Sequence, residues 1–227
     1  VSITVDGVLR GNQATISSTG LGDRWAGFIL GDSEFSVIDL VSTNVFEASP
    51  ALSIFKSGAF IGQDIVFARS LSTDPLISFS STSNASFSLA NSQLSDAGSG
   101  CIEADQTAAT LTLVDVTLER CGGPAIRAEQ TNLAISNITV GSGSSNGLLL
   151  TGVTGELTGL FGTDFDGVGS LLKLDYINEE FIVKNITGKA GQSPAIAGSN
   201  NRALNIHNVE LTGAPAIDFD YSSGTLS

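Results

Sequence analysis

One phrase, written twice, constrains this chain more than any other feature. Gly123-Pro124-Ala125-Ile126 leads into the alternating run Leu133-Ala134-Ile135-Ser136-Asn137-Ile138. Ser193-Pro194-Ala195-Ile196 leads in the same way into Leu204-Asn205-Ile206-His207-Asn208-Val209. With this as a guide, related starts stand at Pro50-Ala51-Leu52, Pro75-Leu76-Ile77, Gly100-Cys101-Ile102, Asn146-Gly147-Leu148, Ser170-Leu171-Leu172 and Pro215-Ala216-Ile217. Successive starts are 21–25 residues apart, a period at which each unit is one turn of a solenoid stacked on its neighbours.

Inside each unit, apolar residues alternate with polar ones, as in a strand with one buried face. The alternation then meets an Asn or Asp, a residue that tolerates the left-handed backbone of a sharp bend. Asp39, Asp64, Asn91, Asp115, Asn137, Asp164, Asn185 and Asn208 are the expected bend residues. Stacked one above another, they are expected to form a side-chain hydrogen-bonded ladder. Phe35, Phe60, Phe87, Leu111, Leu133 and Phe181 precede the bend and are expected to stack inside the core.

Helical repeats are excluded for want of a 3.6-residue period, and the Leu-x-x-Leu-x-Leu frame of leucine-rich repeats is missing. The pattern therefore predicts an all-β fold, a single-stranded parallel β-helix of about ten coils forming one domain over 1–227. Gly at 26 residues supplies turns between many short strands. Both ends read as uncapped, and we expect the chain to be a segment of a longer protein.

Charge narrows the range of partners. The 23 acidic residues against 10 Lys and Arg give a net charge of −13. That charge repels nucleic-acid phosphates and anionic lipid, so neither partner is expected. No stretch has the ~20 apolar residues of a membrane span, so membrane insertion is not expected.

The entry segment Val1-Ser2-Ile3-Thr4-Val5-Asp6-Gly7-Val8-Leu9, then Gly11-Asn12 and Trp25-Ala26-Gly27-Phe28-Ile29, resembles the first coils of secreted right-handed parallel β-helix proteins. The resemblance implies the pectate-lyase-like fold, common to bacterial and archaeal cell-surface proteins, lyases, adhesins and tailspikes. It implies no one activity, because that fold carries many.

Hydrolases of this kind need clustered aspartates with a Gly-His-Gly and an Arg-x-Lys. This chain has neither tripeptide, and its single histidine is His207. A lyase needs a basic groove for its anionic substrate, at odds with a chain this acidic. An enzyme is therefore not expected, and neither catalytic nor cofactor-binding residues are assigned.

Asp164 with Asp166, and Asp218 with Asp220, share a strand face pairwise and are the candidate Ca²⁺ ligands, although two carboxylates fill only part of a calcium shell. Cys101 and Cys121 are either bridged between adjacent coils or two buried thiols; the spacing leaves both open. Of the sequons at Asn84, Asn137 and Asn185, the last two sit at bends, and Asn84 is the glycosylation candidate. The expected role is a non-enzymatic extracellular rod, part of a cell-surface, sheath or filament assembly or an adhesin stalk. Its expected partners are other copies or flanking domains of the same chain, with a surface glycan as the alternative ligand of an adhesion module.

Overall fold

The computed structural model describes residues 2–17, 27–30, 35–48, 50–54, 58–70, 73–80, 85–105, 110–162, 164–213, 215–220 and 222–227. Within them the fold is all-β, a parallel β-helix of about eight turns rather than the expected ten. A narrow sheet of ten short strands runs from Ile3–Val5 to Ile217–Asp220, each strand pairing in parallel with its equivalent one turn away.

The narrow sheet owes its inner face to the apolar residue after each anchor. Phe28, Leu52, Ile77, Ile102, Ile126, Leu148, Leu172 and Ile196 form one in-register column, fully buried. In six of these eight levels the side chain just before also turns inward. At these entries Ala51, Leu76, Cys101, Ala125, Leu171 and Ala195 are buried as well.

The second sheet has thirteen strands, ten of them in one continuous path. Its longest members, Ala85–Ala97 and Thr110–Cys121, run through the bend without a break. Here the stacking column is Ile38, Phe60, Phe87, Leu111, Leu133, Gly155, Phe181 and Leu204. The rings of Phe60 and Phe87 lie 5.1 Å apart and nearly parallel. Phe35, expected in this column, is instead 75% exposed. It stands just ahead of the strand Val37–Val41, and Ile38 holds the inward register.

Size is traded between levels of the core. Leu171 occupies an entry position filled by alanine at Ala125 and Ala195. Room for it comes from Gly162 and Gly188, paired in the wide sheet. A Cβ on either would fall 2.4 or 2.3 Å from a Leu171 methyl carbon. These glycines are spaces for a larger neighbour, the complementary packing expected of a dense interior.

Candidate functional site

Each coil turns at corners where one residue takes a left-handed backbone, and every such corner stacks into a column. The bend within the wide sheet is formed by Gln13, Ser42, Asp64, Asn91, Asp115, Asn137, Gly159, Asn185 and Asn208; φ is 47–57° for all but Gly159, at 81°. Six of the eight bend residues expected from sequence are here. Asp39 is not: it lies mid-strand facing outward, 3.6 Å from Arg10, and the corner belongs to Ser42, three residues further on in the same turn. Asp164 is not either, because Gly159 makes the bend at its level and Asp164 sits in an exposed turn further on.

Side chains in this column do hydrogen-bond from turn to turn. Asn137 Nδ2 donates to Asp115 Oδ1 at 2.9 Å, and Asn208 Nδ2 donates to Asn185 Oδ1 at 3.0 Å. Gly159 interrupts the series between them. The sequons at Asn137 and Asn185 thus have their amides engaged within the ladder. Asn84, the glycosylation candidate, lies outside the described residues, as does Trp25 of the entry segment.

A second column, at the far end of the wide sheet, was not anticipated from sequence. Glu47, Arg69, Asp96 and Arg120 alternate in sign and share positive φ, with Gly143 continuing the corner at 79°. Arg69 approaches Glu47 at 3.9 Å, and its guanidinium lies 4.5 Å above the Phe46 ring. Arg120 grips Asp96 with two parallel bonds, Nε to Oδ1 and Nη2 to Oδ2, the latter at 3.0 Å, and reaches Glu119 at 3.0 Å through Nη1. The Arg120 guanidinium holds the Asp96 carboxyl below the usual carboxylate range. Asp96 in turn raises Arg120 above the ordinary guanidinium value.

Cys101 and Cys121 are joined by a disulfide, with Cα atoms 5.4 Å apart and both residues fully buried. The bridge closes a single turn on itself rather than linking two adjacent coils, because Cys121 ends the wide strand Thr110–Cys121 of the turn that Cys101 opens.

The third corner column holds Gln130, Gly152, Tyr176 and Asn200, with φ of 48–59°. These positions follow their coil anchors at 124, 146, 170 and 194 by six residues each, a fixed offset that was available in the sequence. It passed unread because the residue types share no chemistry. Behind the column, buried Asn201 receives a bond from Ile177 N at 2.9 Å and donates to Leu174 O at 2.8 Å, fixing the corner from inside. In front of it opens a cleft of about 510 Å³, lined by Glu129, Gln130, Thr151, Gly152, Thr154, Tyr176, Asn178 and Glu179.

The calcium candidates are distributed as follows. Asp166 Oδ1 accepts a hydrogen bond from Gly143 N at 2.8 Å, while Asp164 is exposed in the same turn. Asp218 and Asp220 share the outer face of the strand Ile217–Asp220, as their spacing requires. Among the described residues no three His, Cys, Asp or Glu side chains gather as a metal-binding group. His207 lies on the wide sheet in register with Lys184, its Nδ1 2.5 Å from Ser227 Oγ. Among the described residues no helix is long and apolar enough to cross a membrane.

Fold and corners together define a parallel β-helix whose surface is built from stacked columns of equivalent residues. No protein-family model, no curated protein and no solved structure matches the chain.

Proposed function

We propose that this chain is a non-catalytic, extracellular structural element, a rigid rod belonging to a cell-surface, sheath or filament assembly or to the stalk of an adhesin. On this reading it is one of the secreted right-handed, pectate-lyase-like β-helices. The observation that carries the reading is the unbroken register of both sheets, with a side-chain column on each corner. Such a molecule resists bending because each turn is bonded to the next along its full width.

Two further features fit an extracellular setting. The buried Cys101–Cys121 bridge suits an oxidising compartment. The net charge of −13 suits a molecule that stays soluble where proteins are dense. Electron microscopy of the full-length protein tests the proposal. Straight rods that extend or associate into regular polymers are expected. Monodisperse particles that depolymerise a polysaccharide would overturn it.

A further inference from the structure

We infer that the corner cleft in front of Tyr176 is a binding subsite for a neutral hexose unit of an oligosaccharide. In the column that holds Gly152, the residues Gln130, Tyr176 and Asn200 take the same left-handed φ without being glycine, so the conformation does not demand one. Crowding does not demand it either. A Cβ at Gly152 would have Gln130 Cγ at 3.6 Å and Tyr176 O at 3.9 Å, ordinary contact distances. What glycine provides is a gap. One side chain is missing from a column whose rungs repeat every ~4.8 Å, and Gln130 Cγ and the Tyr176 carbonyl border the space it leaves.

Tyr176 forms one wall of the gap. It is 55% exposed, and its φ of 56° is a conformation that bulky residues rarely adopt. The same φ recurs at Gln130 and Asn200, so the corner geometry of the fold sets this backbone. Here the result is an aromatic ring held at the surface beside an opening. The remaining lining is polar: Thr151, Asn178, Glu129 and Glu179 supply hydroxyl, amide and carboxylate groups. Glu129 is held by Arg127 at 3.9 Å.

This combination matches a pyranose. Its C–H face packs on an aromatic ring, and its vicinal hydroxyls pair with amide and carboxylate groups, both donors and acceptors. The two glutamates and the charge of −13 select against uronates and sulfated sugars, which they repel. A peptide would need apolar side pockets, and Tyr176 is the one large apolar side chain in this lining. The subsite does not depend on polymerisation: a rod that assembles without binding sugar, or the reverse, separates the two proposals.

The test is saturation-transfer NMR and calorimetry on the full chain with cellohexaose, maltohexaose, mannohexaose and hexagalacturonate. Saturable binding of at least one neutral hexamer is expected, with hexagalacturonate weaker than that hexamer. Tyr176→Ala is expected to weaken the neutral ligand by about tenfold or more, the loss of one stacked ring. Gly152→Gln fills the gap with a residue that Gln130 already tolerates at this φ, and is expected to weaken it similarly. Circular dichroism and melting of both variants establish that the fold is kept. Absence of binding by all three neutral hexamers overturns the inference. Binding that neither substitution changes in folded protein, or a preference for hexagalacturonate, overturns it equally.

Discussion

At residue scale the fold depends on single positions that the chain can fill in few ways. Asn137 holds φ at 54° and bonds Asp115. Asn137→Ala keeps neither advantage: the left-handed backbone costs an ordinary L residue roughly 1–2 kcal/mol. Urea unfolding is expected to register a loss of that size, and Asn137→Gly, which relieves the backbone and removes only the exposed side-chain bond, a smaller one. At Gly188 the constraint is space rather than backbone conformation. Adding a methyl there drives into Leu171, so Gly188→Ala is expected to cost about 1–3 kcal/mol. Leu171→Ala in the same chain is expected to return part of it, a non-additivity read from the double-mutant cycle. The bend was legible in sequence where Asn or Asp filled it, since few other residues take that backbone. Asp39 and Asp164 misled because aspartate is equally at home on an outer strand face or in a turn. Ser42 and Gly159 gave no sign of doing the same work.

At the scale of elements, periodicity carried most of the information. Period-two alternation located the wide strands, and the anchor spacing located the narrow ones, because an inward residue repeated once per turn leaves both traces. What stayed hidden was the pairing of side chains between turns. The Glu47–Arg69–Asp96–Arg120 column joins residues 22–27 positions apart in sequence, and its opposite signs acquire meaning only when the turns are stacked. Its consequence is a pH dependence. The carboxyl of Asp96 titrates lower when folded than when unfolded, through its bonds to Arg120. That contribution is therefore present above the unfolded value near pH 3.9 and fades as pH falls through the lower folded value. Stability measured against pH is expected to fall below about pH 4, and Asp96→Asn to flatten that limb. An unchanged acid limb would show that the pair is slack in solution. The disulfide was legible as one of two options, and the deciding fact was geometric: entry and exit of one turn meet at Cys101 and Cys121. Replacing both with alanine reopens a closed loop and is expected to lower stability by about 3 kcal/mol, read from unfolding under non-reducing conditions.

At the scale of the whole molecule, turns touch their neighbours and little else, so stability accumulates turn by turn along a continuous core. The charge of −13 opposes association of such rods at low ionic strength. Added salt screens it, with a Debye length of about 8 Å at physiological strength. Sedimentation velocity is expected to find larger species as salt rises; dissociation with salt would mean that association rests on complementary charge instead. The architecture as a whole could be read from one repeated phrase because stacked turns repeat their inward residues. The Tyr176 cleft could not, because it is defined by the side chain its column lacks.

Successive turns lie in fixed register, and the rod owes its rigidity to that register. This rigidity is tested most directly by electron–electron distance measurement between spin labels at Glu103→Cys and Asp218→Cys, with the native disulfide kept. These positions occupy one outward column of the narrow sheet, five rungs apart, through Arg127, Leu149, Lys173 and Ala197. At ~4.8 Å per rung the backbones stand about 24 Å apart. A single narrow distribution around that value, allowing for the label arms, is the predicted result. A broad distribution, or a peak displaced by more than the two label arms can reach, would contradict it.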